Sequence, residues 1–427
     1  MKKKVVVLAK FLGRDSGGVS SIMDLIEGFV SLGNEVYVGL DQQTPNHYNQ
    51  NVRKVYPLNL KETNIFRIPE ELRISSIGVW KQYMANIKAI KKDPRNFFFK
   101  LFVFFYRMVF GFPNLYFGRL SEKKTELKGW EWIKNADVII YATFLKPQAI
   151  DEIKKKSKAI IVRNHAGAKQ LMSFWIKHYS KMNPSANETL YVSYLKRFDK
   201  VLFQSQEQAN DFESSSKVLN GKAIVIPPTC DEKAIENAKK LKNPYLKGTL
   251  NIAVVGSIQE RKGQDIAIHV FEKLASSYQN LHIHFIGHIN PESNYCHDFL
   301  HQIKNSKFHE KIHFHGHRKD YLRYMVNSDI LLQPSKQEGV SRILRETMFM
   351  KVPIVAFNIS GTRDLLEANE EALLISPFNL EELRRSIESL LIDPKKGPQI
   401  SQNALKIYQR NNSKEAYLNA IAANFNF

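Results

Sequence analysis

Cysteine is nearly absent from this chain: 427 residues contain only Cys230 and Cys296. Two thiols make no disulfide framework, and without a Cys-x-x-Cys pair there is no zinc knuckle. Long apolar runs are missing as well. The amino terminus, Lys2-Lys3-Lys4 followed by Val5 to Ala9, has the charge order of a signal peptide, but its apolar run is cut at Lys10. It reads as a buried first strand, with a reducing cytoplasm as the expected compartment. Acidic residues are few beside basic ones, 42 against 62, which leaves a net charge of +20. That excess favours an anionic partner, whether nucleic acid, a membrane leaflet or a phosphorylated ligand.

What is present indicates a chain able to bury a sizeable core. It is 43% hydrophobic and 24% charged, and its length suits two or three domains. Short aliphatic runs alternate with longer amphipathic stretches, the pattern of βαβ units around parallel sheets. The first half predicts strands over Val5–Ala9, Glu35–Leu40, Val138–Tyr141, Ala159–Arg163, Lys200–Gln204 and Ala223–Ile226. The second half predicts Leu250–Val255, His282–Ile286, Ile312–His315, Ile330–Gln333, Pro353–Phe357 and Ala372–Ile375. Each half opens with an aliphatic strand, a glycine-containing loop and a helix. The expected fold is therefore α/β, with two doubly wound domains facing a cleft. Residues 1–230 form the first domain and 249–400 the second, joined by a polar linker over 231–248, with a final helical segment over 401–427.

One segment departs from this pattern. Residues 81–130 hold eleven Lys or Arg against three acids, and they contain the aromatic stretch Phe97 to Phe112. That stretch is shorter than the roughly 20 residues that span a bilayer and carries Lys100 and Arg107. We read the insertion, residues 65–130, as a basic aromatic element for an anionic membrane surface, the alternative being a buried core helix.

The most informative stretch runs from Gln333 to Phe357. A strand ends at Pro334, a turn carries Glu338 and Gly339, and a helix is predicted from about Ser341 to Met350 with Glu346 inside it. A carboxylate beside the bare amides of Ser341 and Arg342 suits a ligand bearing both hydroxyls and phosphate. The alternative is that Glu338 caps the helix and Glu346 is solvated. Glu338 to Glu346 resembles the E-x7-E motif of the retaining glycosyltransferases of family 4, which have the GT-B fold. Pro334-Ser335, Glu338-Gly339, Glu346-Thr-Met and Pro353-Ile-Val-Ala resemble the block around that motif, and Ser360-Gly361-Thr-Arg-Asp364 resembles the turn that follows it. Val254-Val-Gly256-Ser257 through Arg261-Lys262-Gly263 is similar to the family's diphosphate-binding loop. Ser16-Gly17-Gly18-Val19 and Asn164-His165 are similar to its amino-terminal glycine loop and active-site histidine.

The resemblance implies a role for each matched position. Glu338 would contact sugar hydroxyls, and the amides of Gly339, Val340, Ser341 and Arg342 would meet sugar or phosphate beside Pro334. Glu346 would hold the ribose. Lys262, helped by Arg261 and with Ser257 nearby, would neutralise the diphosphate. Gly17 and Gly18 would let backbone approach phosphate and acceptor, and His165 would sit near the sugar. Glu338, His165 and Lys262 are the expected catalytic residues. The implied activity is retaining transfer from a nucleoside-diphosphate sugar, a UDP-sugar favoured, to a cell-surface glycan, a lipid-linked glycan or a teichoic-acid-like acceptor. No cofactor or metal is expected, consistent with the lack of an Asp-x-Asp pair, and no nucleic-acid partner. The expected location is peripheral, on the inner face of the cell membrane. In the family the last helical segment, here Ser401 to Asn424, crosses back to the first domain.

Several positions depart from the family pattern: Ser257 replaces an arginine, Val340-Ser341 replaces Phe-Gly, Lys351 replaces a helix-ending glycine and Asp364 replaces a glutamate. Histidines crowd His282, His284 and His288, then His309, His313, His315 and His317. Alternation along strands brings three imidazoles to one face, but no acidic or thiolate partner lies close by, so packing is expected over metal binding. Tyr321 to Asp329 is read as a core helix. The rival readings are a sugar-nucleotide epimerase or phosphorylase on the same fold, and a non-enzymatic binder of anionic polymer.

Overall fold

The computed structural model describes residues 2–9, 17–40, 65–68, 129–142, 147–164, 195–216 and 221–426. The aromatic stretch Phe97 to Phe112, Ser16 and His165 lie outside the described residues. The chain divides into two compact units: Met1–Phe203 with Phe212–Ile224 and Ile421–Phe427, and Gln204–Asp211 with Val225–Ala420.

The first unit is built on a seven-stranded sheet. Its strands are β1 (Lys4–Ala9), β2 (Glu35–Leu40), β3 (Ile65–Arg67), β4 (Val138–Tyr141), β5 (Ile160–Asn164), β6 (Lys200–Phe203) and β7 (Ala223–Val225), in the order β3-β2-β1-β4-β5-β6-β7. Helices α1 (Gly17–Ser31), α2 (Pro147–Lys156) and α3 (Gln206–Ser216) follow β1, β4 and β6 in the chain. Val5 to Ala9 are completely buried, which explains a strand with no apolar–polar alternation: a parallel sheet covered on both faces has no solvent side. The edge strand β3 is absent from the sequence expectation. Three residues with one partner strand are too few for a readable period. The last residues of the chain belong to this unit. The Phe425 ring meets Phe29 edge-on at 5.2 Å, and its carbonyl accepts from Lys3 Nζ at 3.1 Å.

The second unit repeats the design. Helix α4 (Glu232–Lys239) leads into β8 (Leu250–Val255), α5 (Gln264–Ala275), β9 (Leu281–Ile286), α6 (Asn294–Asn305), β10 (Ile312–Phe314), α7 (Tyr321–Val326), β11 (Ile330–Gln333), α8 (Arg342–Met350) and β12 (Ile354–Phe357). Then come α9 (Ser360–Arg363), β13 (Leu373–Ile375), α10 (Leu380–Ile392), α11 (Lys396–Asn411) and α12 (Lys414–Phe425). The six strands pair in parallel in the order β10-β9-β8-β11-β12-β13. Alternate residues of each strand feed two cores. Ile252, Val254, Ile330, Leu332, Val355 and Phe357 pack with α5, α6 and α10. Ala253, Leu331, Ile354 and Ala356 pack with α4, α7, α8 and α11.

Two expectations are corrected here. The stretch 231–248, read as a linker, contains α4. Asp231 Oδ1 accepts from the Ala234 amide at 2.9 Å as its N-cap, and Ile235 and Ala238 are buried. A helix this polar earns its place through two apolar residues one turn apart, too sparse to stand out from composition. The helix predicted from Ser401 to Asn424 is two helices. Between them the buried Asn412 donates its side-chain amide to the Pro228 carbonyl at 2.9 Å, and Ser413 Oγ accepts from the Ala416 amide at 3.2 Å to start α12. Among the described residues no helix is long and apolar enough to cross a membrane.

Candidate active site

In an open parallel sheet, ligands gather at the carboxyl ends of the strands where the order reverses. In the second unit that point lies between β8 and β11, because β9 flanks β8 on one side and β11 on the other. The loop after β8 runs from Gly256 to Gly263 and includes a tight 3-10 turn over Glu260–Lys262. The loop after β11 runs from Pro334 to Ser341. The two are tied together: the Lys336 amide donates to the Arg261 carbonyl at 2.8 Å, and Arg261 Nη1 donates to the Gln337 carbonyl at 3.3 Å. Gly263 has φ of 68°, and a Cβ there would lie 2.2 Å from the Pro334 carbonyl oxygen. Gly263→Ala is therefore expected to force the loops apart, at a cost of about 2–3 kcal/mol for the left-handed backbone and the clash together. Urea unfolding would measure it.

This contact also brings charged side chains together. Glu338 Oε1 pairs with Lys262 Nζ at 2.5 Å, and its Oε2 lies 3.7 Å from Arg261 Nη1. The Glu338 side chain is only 8% exposed, so this carboxylate is neither solvated nor a helix cap. The cap is Ser341, whose Oγ accepts from the Leu344 amide at 3.4 Å and donates to Gln333 Oε1 at 2.9 Å. The Ser341 hydroxyl is thus committed to the start of α8, and its amide remains the group suited to a ligand. The Glu338–Gly339 turn is backed closely by α9. A Cβ on Gly361 would lie 1.8 Å from the Gly339 carbonyl oxygen, so only glycine permits the approach. Asp364, just beyond, accepts from Ser205 Oγ at 2.7 Å.

Glu346 stands one turn into α8 and is 4% exposed. Its Oε1 accepts from Tyr321 Oη at 2.7 Å and lies 3.6 Å from Arg342 Nε. Its Oε2 is buried with no hydrogen-bond partner among the described residues. Burial raises its pKa, opposed by the Arg342 charge and the Tyr321 hydrogen bond. Next to it the buried Arg345 donates from Nη1 to the Val340 carbonyl at 3.1 Å and from Nε to the Thr229 carbonyl at 3.4 Å, holding the far end of the turn. Lys351 takes the left-handed conformation, φ 60°, that ends α8 where glycine is usual.

The structure brings Arg261, Lys262, Pro334, Glu338, Gly339, Val340, Ser341, Arg342 and Glu346 to one end of the second unit's sheet. Ser257 lies on the same loop and its carbonyl accepts from Gln264 Nε2 at 3.0 Å. Gly17 and Gly18 open α1 in the first unit, in the helix itself rather than in a loop before it. Tyr321 and Arg345 were missed from sequence. An arginine in an otherwise apolar helix position is a signal that was available, whereas Tyr321 reads as core until Glu346 is placed beside it.

The strand histidines are paired with one another. His282 Nδ1 meets His313 Nε2 at 2.9 Å, His284 Nδ1 meets His315 Nε2 at 3.0 Å, and His284 Nε2 meets Asn251 Oδ1 at 3.0 Å. Among the described residues, the acidic or histidine groups near enough to share a metal ion are Glu367, Glu370 and Glu371, in the turn before β13. These three are not among the residues gathered around Glu338 and Glu346.

The fold and the site now define a class. The architecture is GT-B, two Rossmann-like domains: Anabaena Alr3699/HepE, solved in complex with UDP and glucose, is similar with a TM-score of 0.68 and 17% identity over 99% of each chain. More particularly, residues 236–407 match the model of the family Glycosyl transferases group 1. An uncharacterized glycosyltransferase of Haemophilus influenzae is 27% identical over 48% of this chain and 55% of its own length. The capsular polysaccharide biosynthesis glycosyltransferase CapM of Staphylococcus aureus is 23% identical over 39% of this chain and 44% of its own. The chain spans about half the length of the curated relatives it matches.

Proposed function

We propose that this protein is a retaining glycosyltransferase that moves a sugar from a nucleoside-diphosphate sugar, a UDP-sugar by preference, to a cell-surface or lipid-linked glycan or a teichoic-acid-like acceptor. One observation carries the reading: the ion pair of Lys262 with Glu338, held at the sheet's switch point beside the buried, half-satisfied carboxylate of Glu346. A lysine ammonium has three N–H donors, and Glu338 uses one. The others, with Arg261 and the first amides of α8, suit a diphosphate. Glu338 would orient the sugar, and Glu346 Oε2 would accept from a ribose hydroxyl. UDP in the Anabaena structure and the capsular role in CapM's name support the donor and acceptor classes.

As the bond from the anomeric carbon to the diphosphate breaks, charge grows on the departing oxygen, where fixed cations and helix amides stabilise it. No step calls on a metal ion. The acceptor oxygen bonds to the same face of that carbon, and its proton passes to the departing phosphate. His165 would sit near the sugar, and Gly17 and Gly18 near phosphate and acceptor. The basic aromatic stretch Phe97 to Phe112 would place the enzyme at an anionic membrane surface, on the cytoplasmic side, where lipid-linked acceptors are met.

Thermal unfolding with UDP, GDP and ADP tests the donor. A nucleotide at 100 times its Kd stabilises the fold by about 2.7 kcal/mol. A rise with one diphosphate, followed by slow release of free sugar of unchanged anomeric configuration from the matching donor in EDTA, is the expected result. If no nucleoside diphosphate shifts the transition, the reading fails. Accumulation of an epimer without free sugar would turn it towards an epimerase.

A further inference from the structure

The ribose role of Glu346 belongs to the reading above, and the present inference rests on it. We infer that Tyr321 is a positioning residue for the donor site: its hydroxyl holds one oxygen of Glu346 and leaves the other for the nucleotide. Tyr321 stands near the start of α7, and Glu346 stands in α8. Their hydrogen bond, at 2.7 Å, joins two helices that flank β11 in the chain.

The two oxygens of this carboxylate are treated unequally. Tyr321 Oη and Arg342 Nε both face Oε1, while Oε2 is buried and without a hydrogen-bond partner among the described residues. An unmet buried carboxylate oxygen is costly to keep, and a ligand hydroxyl arriving there recovers that cost. The Arg342 guanidinium also lies over the Tyr321 ring, 5.7 Å from its centroid, so the tyrosine steadies the arginine as well. Burial and the Asp231 charge raise the Glu346 pKa, and Arg342, Arg345 and the Tyr321 hydroxyl oppose them; without the hydroxyl that opposition weakens, and a protonated carboxyl is a poorer acceptor.

Tyr321→Phe keeps the ring under Arg342 and removes only the hydroxyl. Binding of UDP, measured by titration calorimetry from pH 5 to 8, is expected to weaken roughly ten- to hundred-fold, the worth of a hydrogen bond to a charged group. The pH below which affinity falls is expected to move upward in the variant. The loss should appear in KM for the donor rather than in kcat. In Glu346→Gln, which has no carboxylate to orient, adding Tyr321→Phe should change UDP affinity little. A purely structural tyrosine would instead lower the unfolding temperature and leave the pH profile in place. Unchanged affinity and profile in Tyr321→Phe, or effects that simply add in the double variant, overturn the inference while the donor site stands. A wild-type chain that binds neither UDP nor GDP removes the functional reading itself, and this inference with it.

Discussion

Lys262→Met is expected to slow transfer at saturating donor by roughly two to three orders of magnitude, the effect of deleting one preorganised group that faces developing charge. The argument starts from the pairing. Lys262 is 17% exposed and rests on Glu338, so its ammonium is partly stripped of water and would need little reorganisation as a diphosphate departs. Removing it leaves Glu338 with Arg261, at 3.7 Å, as a remaining counter-charge, which keeps the carboxylate from standing alone. The fold should therefore survive, and circular dichroism and urea unfolding serve as controls. Single-turnover rates are the decisive measurement. A rate equal to wild type would remove Lys262 from the chemical step. Glu338→Gln provides the complement: with Lys262 intact but its partner neutral, donor binding should persist while sugar orientation, and hence turnover, is lost.

Acidification is expected to destabilise the second unit well before its carboxylates are exhausted. The bond to Asn251 assigns the His284 proton to Nε2, so Nδ1 must accept from His315. A second proton on His284 would force His315 into its other tautomer and place a charge among buried imidazoles. Burial, with the neighbouring imidazoles, pushes His284 down to about 2 and His315 down to about 4, and burial also lowers His282 and His313. Lys311 and Arg318 add to the depression, and Asp320 opposes it. An unfolded imidazole titrates near 6.5, so between that value and the folded one the unfolded chain binds more protons and stability falls as pH falls. His284 alone would remove about 2 kcal/mol between pH 7 and pH 5. Three carboxyls pull the other way. Glu346, Asp329 and Glu371 are raised by burial, so the folded state takes up protons first and gains stability as pH falls towards their unfolded values. Their uptake offsets part of the histidine loss, and comparing wild type with a His284 variant isolates the histidine share. Urea midpoints at pH 7.5 and 5.0 should show this loss, and His284→Gln, which can still bond Asn251, should flatten it. Equal slopes in both proteins would assign the acid sensitivity elsewhere.

Much of the architecture is readable in the order of the amino acids. Parallel strands buried on both faces must be aliphatic throughout, so Val5 to Ala9 and Leu250 to Val255 announce themselves. Gly263, Glu338 and Glu346 stand at spacings that place them at a loop's end, in a turn and within a helix. Helix α4 stayed hidden, because its two buried residues matter only against a core supplied by other helices, and β3 exists only through its neighbour.

Local order is written in local periodicity, and the sequence by itself determined most of the strands and helices, the glycine positions and the excess of positive charge. Which charges meet is another matter. Lys262 and Glu338 are 76 residues apart, and Tyr321 and Glu346 are 25 apart. No run of residues records either distance. Those pairs formed because the strand order reverses at β8 and β11, which brings two loop ends and two helices together, and that reversal is a property of the folded sheet.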